Sequence, residues 1–367
     1  MPRRLVVLFD GTWNRVRTHT NVERLWKLIA HADPAGAGQV SKYIAGVGVK
    51  PGMQHWLGGA FGMGLSENVK EGYRWLSEKW REGDEIWLFG FSRGAYSARS
   101  LGGLIRKCGL LKPDRHARVS AQRVDEAYGL YRNAIDPDDP NVEAFRAVHS
   151  REVRIRFIGV WDTVGSLGVP FVASWFPFAR SRYRFHDTDL SKIVQYAYQA
   201  LAIDEHRADF EPTKWERNPD DLASGESPTA KKPEQVEVEQ RWFVGGHADV
   251  GGGEKTDGAG HRPDTLPEIA LAWMQTKAAA AGLAFKEPYI PAPDAVLAVP
   301  NDSYATFMCG LYHLLKKPYD RVIGGGVNEA IDDSVWKKWN ENPDYRPPSL
   351  QIALEAGRIS VGCDKVR

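Results

Sequence analysis

The sequence predicts an α/β fold, in which a mostly parallel central sheet is flanked by helices and extended by helical insertions. Apolar segments of strand length recur along the chain, and each ends in a turn of glycine or polar residues, which is typical of strands buried on both faces of a parallel sheet. Helical patterns lie between these segments, as expected for the connections of such a sheet. The segments that predict strands are residues 5–9, 85–91, 153–161 and 238–244.

The composition is that of an ordinary globular protein, with 43% hydrophobic and 26% charged residues. A chain of 367 residues can bury a full core, and we expect a single domain over residues 1–367. There are 48 basic and 47 acidic side chains, and the formal charge is +1. Because this balance gives no overall attraction for polyanions, we predict no nucleic-acid partner.

The cysteines and the amino-terminal segment bear on the cellular compartment. Cys108, Cys309 and Cys363 have neither the spacing of a metal site nor that of a disulfide framework, which favours a reducing compartment. Segment 5–9 is too short for a signal-peptide core, and no segment approaches the length of a transmembrane helix. We expect a protein that is soluble and cytoplasmic when made, and export without a cleaved signal peptide stays open.

The amino-terminal part is predicted to alternate strands and helices. Asn21 is the expected cap of a helix after the first strand, and residues 43–48 predict a short strand. The glycine-rich segment 58–64 fits neither phosphate-binding glycine pattern, so we interpret it as close packing or a mobile loop. Ser66 is the expected start of a long amphipathic helix that leads to strand 85–91.

Two insertions and a C-terminal layer are expected to extend this core. Residues 114–150 predict a helical insertion that Pro and Asp interrupt at 136–140, and residues 167–235 predict a lid or loop insertion with a helix at 193–202. Residues 285–367 predict a peripheral C-terminal layer. Part of the second insertion is interpreted either as an apolar lid flanked by cations or as a loop packed on the core, namely residues 170–178 with Arg180, Arg182 and Arg184.

One strand carries the strongest chemical signal. Residues 85–91 lead into Gly90-Phe91-Ser92-Arg93-Gly94, a Gly-x-Ser-x-Gly pattern that small residues typical of a helix follow. In such a strand, turn and helix the serine sits in a strained turn, and the glycines let strand and helix approach closely. Ser92 is therefore the candidate nucleophile. The alternative is an exposed serine in a tight turn.

Two later strand ends supply the partners that a serine nucleophile needs. A serine hydroxyl is weakly nucleophilic unless an imidazole takes its proton, and a carboxylate must hold that imidazole in the correct tautomer. Asp162 follows strand 153–161, and His247 follows strand 238–244 in a glycine-rich loop. Ser92, Asp162 and His247 thus occur in the chain order of the α/β hydrolases, which sharpens the prediction to an α/β-hydrolase-like fold.

Other carboxylates compete with Asp162. Asp204 is the main alternative acid, because it also precedes His247 in the chain. Asp249 lies two residues beyond the histidine and is expected to shape its loop. Asp10, at the end of the first strand, is a further candidate for supporting the site.

The turns after two strands are suited to an oxyanion hole. The predicted donors are the backbone N–H groups of Gly11 and Arg93, since such donors follow strand ends in these enzymes. A metal site of Asp10, His247 and Asp249 is the rival interpretation. These three residues lack the tight spacing of metal ligands, so we predict neither a metal nor another cofactor.

Six motifs in order resemble one family over nearly the whole chain. It is the largely uncharacterised α/β-hydrolase-domain family that includes the phospholipase effectors of bacterial type VI secretion, and the resemblance is to the catalytic domain. By this resemblance Ser92, Asp162 and His247 form the catalytic triad. The motifs are residues 8–14, residues 61–65 with Asn68, and residues 90–95, 160–165, 202–205 and 247–253.

The resemblance implies a serine ester hydrolase that works through an acyl-enzyme. The substrate it implies is a lipid, cleaved as by a phospholipase A, and a small ester is the simpler possibility. Peripheral membrane contact, a secretion-system or immunity partner and an antibacterial role are further implications. Two alternatives stay open: a soluble carboxylesterase or thioesterase on small metabolites, and a binding module without turnover on the same fold.

Overall fold

A computed structural model describes residues 2–11, 18–46, 57–133, 136–165, 190–217, 227, 229–253, 265–307 and 311–366. Within these residues, seven strands form one parallel sheet, and two short strands pair antiparallel outside it. The strands are β1 (Arg4–Phe9), β2 (Gln39–Ile44), β3 (Glu85–Phe91), β4 (Leu110–Leu111), β5 (Ser150–Arg151), β6 (Ile155–Trp161), β7 (Val194–Ala202), β8 (Glu237–Phe243) and β9 (Glu329–Ile331). Their order in the sheet is β2-β1-β3-β6-β7-β8-β9. The predicted α/β-hydrolase-like fold class is confirmed.

Helices cover both faces of this sheet. Thr20 rather than Asn21 caps the first helix, because the Thr20 side chain accepts the Glu23 N–H, whereas the Asn21 amide donates to the Val250 and Pro267 carbonyls. The helices are α1 (Asn21–Leu28), α2 (Leu57–Lys79), α3 (Arg93–Cys108), α4 (Ala121–Arg132), α5 (Pro140–His149), α6 (His247–Gly251), α7 (Leu266–Ala280), α8 (Ser303–Thr306), α9 (Leu311–Leu315), α10 (Asp333–Glu341) and α11 (Pro348–Glu355).

Strand β1 shows why its sequence is wholly apolar. Leu5, Val7 and Phe9 belong to a buried cluster with residues of α2 and α3, whereas Val6 and Leu8 belong to a second cluster with residues of α1 and α7. All five side chains are fully buried. Successive side chains point to opposite faces of a strand, so a central strand covered by helices on both sides needs apolar residues at every position.

Two predicted elements are wrong. Residues 193–202, predicted as helix, form β7, which lies in register between β6 and β8. A short apolar segment does not reveal its secondary structure by periodicity alone, and here the neighbouring strands decide it. The glycine-rich segment 58–64 is no loop, because α2 already begins at Leu57, and Ser66 lies inside that helix.

The C-terminal region contributes more than the predicted peripheral layer. Strand β9 extends the central sheet, with Trp242 opposite Ile331 in the parallel register. The indole N–H of Trp242 donates to the buried Glu329 carboxylate over 2.8 Å. Arg321 reaches still further inward and is fully buried. The prediction therefore fails for these segments, because their partners lie on strands distant in sequence.

The remaining predictions on insertions have mixed outcomes. The region 114–150 contains α4 and α5, and the predicted interruption at 136–140 ends where Asp139 caps α5. The aromatic segment 170–178 with Arg180, Arg182 and Arg184 lies outside the described residues, and the division of the chain into insertions stays a prediction. Among the described residues, no helix is both long and apolar enough to span a bilayer.

Candidate active site

The turn from β3 into α3 holds Ser92 in a strained backbone conformation, with φ of 58° and ψ of −121°. A positive φ is unfavourable for a residue with a side chain and is found where function requires it. A Cβ atom at Gly90 would lie 2.4 Å from the Gly94 carbonyl oxygen, and one at Gly94 would lie 2.2 Å from the Phe9 carbonyl oxygen. Only glycine at both positions lets α3 approach the ends of β1 and β3 this closely.

Ser92, His247 and Asp162 form a continuous hydrogen-bond chain. The Ser92 Oγ lies 2.8 Å from Nε2 of His247, and the opposite ring nitrogen, Nδ1, lies 2.6 Å from the Asp162 carboxylate. An ionised carboxylate can only accept, so Nδ1 carries the proton and Nε2 is left to accept the serine hydroxyl. Strands β3, β6 and β8 deliver the three side chains to the carboxyl edge of the sheet.

The Asp162 carboxylate is fully buried and has contacts on both oxygens. Arg321 donates to Oδ1 over 2.6 Å and to Oδ2 over 3.0 Å, and the backbone N–H of Ala202 donates to Oδ1 over 3.0 Å. Burial opposes the charged form, but Arg321 and the His247 hydrogen bond outweigh it and hold the pKa of Asp162 well below its usual range. The acid is thus ionised whenever the histidine needs it.

His247 opens α6 and is enclosed by aromatic rings. The ring centroid lies 4.7 Å from that of Phe91 and 5.1 Å from that of Phe210. A Cβ atom at Gly251 would lie 1.9 Å from the Phe91 ring, so a glycine is needed for this packing. Burial lowers the pKa of His247, although Asp162 opposes that shift. The imidazole is therefore in its neutral, proton-accepting form at neutral pH.

Comparison with protein families connects this geometry to known proteins. A family model described as the catalytic domain of Tle1-like phospholipase effectors of the type VI secretion system matches residues 3–277. The chain belongs to this family. The predicted resemblance is thereby confirmed, and the family model ends before residues 285–367, the region that contributes β9 and Arg321.

One curated relative and several solved structures are similar to this Tle1-like catalytic domain. The uncharacterised protein YEL023C of Saccharomyces cerevisiae is 28% identical, over 57% of this chain and 32% of its own length. The chain therefore spans about a third of that relative.

Three solved structures are more distant. An uncharacterised protein from Pseudomonas aeruginosa is 18% identical over 97% of this chain and 58% of its own, with a TM-score of 0.45. The Tle1 effector bound to the VgrG spike is 16% identical over 71% of this chain and 52% of its own, with a TM-score of 0.41. The metagenomic carboxyl esterase MGS0156 is 13% identical over 77% and 76%, with a TM-score of 0.33.

The rival carboxylates of the Tle1-like domain have other contacts. Asp204 accepts the Gly245 N–H over 2.7 Å and the Tyr345 hydroxyl over 2.9 Å. Asp249 accepts the N–H groups of Gly246 and Asn301, so it ties the start of α6 to the segment before α8. Neither is hydrogen-bonded to the His247 ring, whose two nitrogens face Ser92 and Asp162.

Asp10 lies in a separate buried cluster at the end of β1. It accepts hydrogen bonds from the hydroxyls of Thr20, over 2.8 Å, and Tyr43, over 2.5 Å. Burial raises the pKa of Asp10, and these hydrogen bonds oppose the rise. Asp10, His247 and Asp249 therefore do not converge, and the described residues contain no group of three His, Cys, Asp or Glu side chains placed to hold a metal ion.

The two predicted oxyanion donors differ in their surroundings. Arg93 is the first residue of α3, where helical N–H groups have no partner within the helix. The N–H of Gly11 instead donates to the Asp10 carboxylate over 2.7 Å. A role for Gly11 thus requires that this hydrogen bond be shared or opened, and both assignments stay predictions.

Two charged residues beside the histidine were missed as functional candidates. Glu205 accepts the His247 backbone N–H and the Ser303 hydroxyl, each over 3.1 Å. It also pairs with Arg207 at 2.7 Å. Burial opposes its charged form, but Arg207 outweighs burial and lowers the pKa of Glu205 to about 2. Its presence in motif 202–205 was a signal, whereas nothing in the sequence distinguishes Arg321.

Proposed function

We propose that this protein is a serine ester hydrolase that cleaves a lipid ester in the manner of a phospholipase A. The observation that carries the proposal is the hydrogen-bond chain from Ser92 through His247 to Asp162, placed on a strained turn of the kind that exposes a nucleophile. Membership of the Tle1-like phospholipase family supports a lipid as the substrate class.

The reaction proceeds in two acyl transfers. Ser92 Oγ attacks the ester carbonyl carbon while His247 Nε2 takes its proton, and the imidazolium then donates that proton to the departing alcohol. Water enters, gives a proton to His247 and releases the carboxylic acid from Ser92. Asp162 stabilises the imidazolium in both halves through the 2.6 Å contact with Nδ1.

The carbonyl oxygen becomes negatively charged in each transition state and needs fixed donors. The Arg93 N–H lies at the positive end of α3, directly after the nucleophile, and is the first donor. Gly11 is the second, because α3 packs so closely on the end of β1 that the two turns adjoin. Binding of the oxyanion would draw the Gly11 N–H away from Asp10.

The surroundings of His247 favour an apolar group beside the reacting ester. Phe91 and Phe210 flank the imidazole, and Phe307 packs edge-on against Phe210 at 5.8 Å. An acyl chain gains free energy by leaving water for such a surface. Contact with a membrane, a secretion-system or immunity partner and delivery into rival cells are proposals that rest on family membership.

Labelling with a fluorophosphonate tests the nucleophile. The reagent forms a bond from phosphorus to Ser92 Oγ and expels fluoride, while His247 takes the hydroxyl proton. We expect wild-type protein to be labelled and Ser92→Ala not to be. Ser97→Ala, which removes a hydroxyl bonded to the Arg93 carbonyl, is the matched control and should be labelled like wild type. Equal labelling of Ser92→Ala would exclude Ser92 as the nucleophile.

A second measurement tests the substrate class. Release of fatty acid from phospholipid vesicles is compared with hydrolysis of a short soluble ester by the same preparation. We expect both activities, each abolished in Ser92→Ala. Activity on the short ester alone would favour the soluble carboxylesterase alternative, and absence of both with intact labelling would leave only an unidentified ester.

A further inference from the structure

Arg321 is a fully buried cation that the family match does not include. The matched region ends at residue 277, and Arg321 enters the site from the C-terminal region. A buried guanidinium is costly unless its hydrogen bonds are satisfied. Here it donates to both oxygens of Asp162, to the Ala202 carbonyl over 2.8 Å and to the Phe210 carbonyl over 2.5 Å.

These contacts fix the Asp162 carboxylate in one orientation. Oδ1 accepts from Arg321 and from the Ala202 N–H, and Oδ2 accepts from Arg321 and from His247 Nδ1. Each oxygen thus has two donors, and rotation of the carboxylate would break all four bonds. Asp162 itself has a positive φ of 39°, a strained conformation that its surroundings must hold in place.

We propose that Arg321 is a positioning residue for the reaction: it locks the Asp162 carboxylate where that group receives the His247 N–H, and so makes the C-terminal region part of the catalytic unit. The inference rests on the proposed function of Ser92. Arg321 also holds the Phe210 carbonyl, and the Phe210 ring packs on His247, so one guanidinium supports both partners of the acid–imidazole contact.

The cation also affects the protonation of His247. Asp162 attracts a proton to the imidazole, and Arg321 offsets part of that attraction because it pairs with the same carboxylate. The other charged groups that act on His247 are Glu205, which favours the imidazolium, and Arg207, which opposes it. Removing the Arg321 charge therefore raises the pKa of His247, and the acid limb of the kcat/KM profile should move to higher pH.

The test measures short-ester hydrolysis and fluorophosphonate labelling for Arg321→Met and Arg321→Lys, each alone and combined with Asp162→Asn. We expect Arg321→Met to lower kcat by about 10²-fold with little change in KM, because misplacing the acid by about an ångström has effects of this size. Its acid limb should rise by about one pH unit. Arg321→Lys should restore part of kcat and most of the pH profile.

The double variants separate positioning from mere structural support. If Arg321 acts through Asp162, then Arg321→Met should cost less than about threefold in the Asp162→Asn background. Arg151→Met is the matched control, since Arg151 also donates to three backbone carbonyls, those of Ser77, Trp80 and Leu111, without contact to the site. It should lower the melting temperature and leave kcat and the pH profile unchanged.

Three outcomes overturn the inference. They are wild-type kcat in folded Arg321→Met, an equal loss in both backgrounds, and an unmoved acid limb. Melting curves establish folding, and if Arg321→Met does not fold, Arg321→Lys decides by the same criteria, because it keeps the charge without the two-pronged geometry. Failure of wild type to react with the fluorophosphonate would overturn the proposed function as well, whereas labelling of wild type with unimpaired Arg321 variants sinks this inference alone.

Discussion

The ends of β6 and β7 carry two carboxylates that the sequence does not distinguish. Asp162 and Asp204 each directly or closely follow a buried strand, both precede His247, and the strands are neighbours in the sheet. Yet the pKa of Asp162 lies well below its usual range, whereas burial raises the pKa of Asp204. The same kind of side chain at adjacent strand ends is therefore in opposite electrostatic situations.

The difference comes from the partners. Asp162 faces a guanidinium and an imidazole, and these stabilise its charge against the cost of burial. Asp204 faces a backbone N–H and the Tyr345 hydroxyl, which only partly offset that cost. Neutral donors thus make Asp204 a brace between the β8 turn and the C-terminal region, while charged partners make Asp162 suitable for supporting a proton-accepting histidine.

The largest expected effect separates the two carboxylates by turnover. Asp162→Asn should lower kcat roughly 10⁴-fold, because the amide cannot favour the histidine tautomer that accepts the serine proton. Asp204→Asn should change kcat less than about tenfold, since Asp204 does not contact the ring. Steady-state hydrolysis of a short ester measures both. If Asp204→Asn causes the larger loss, the two assignments must be exchanged.

An intermediate effect concerns stability. Asp204→Ala leaves the Gly245 N–H and the Tyr345 hydroxyl without an acceptor and should lower the free energy of unfolding by about 2 kcal/mol. Tyr345→Phe removes one of these hydrogen bonds and should cost about 1 kcal/mol. Chemical denaturation measures both changes. With Tyr345→Phe present, the further cost of Asp204→Ala should shrink, and strict additivity would mean that the two residues do not act as a pair.

The smallest effect is the pH dependence of stability, which should have opposite signs at the two sites. Ionised Asp162 stabilises the folded state above its unfolded pKa, about 3.9, and this contribution is lost as the pH falls towards the lower folded pKa. The raised pKa of Asp204 instead imposes a cost at neutral pH that is absent below about pH 3.9.

Urea unfolding at about pH 3 and about pH 7 measures this contrast. From the lower to the higher pH, Asp162→Asn should lose stability relative to wild type, and Asp204→Asn should gain it. Changes of the same sign in both variants would mean that the two carboxylates are electrostatically alike, contrary to the contacts described above.

The sequence by itself determined the strands at 5–9, 85–91, 153–161 and 238–244, the elbow at Ser92 and the family. These features are local: a strand buried on both faces needs apolar residues throughout, and a sharp turn between strand and helix needs glycines at 90 and 94. The residues for a triad, Ser92, Asp162 and His247, could also be proposed because each ends a strand, and their catalytic roles stay predictions.

Only the tertiary structure decided between alternatives that are locally equal. Residues 193–202 suit a helix as well as a strand until β6 and β8 flank them. Asp162 and Asp204 are alike until Arg321 reaches the first and Tyr345 the second, across more than a hundred residues of sequence. Hydrogen bonds between such distant segments leave no periodic or spacing signal, so a single sequence does not reveal which carboxylate receives the cation and which receives the hydroxyl.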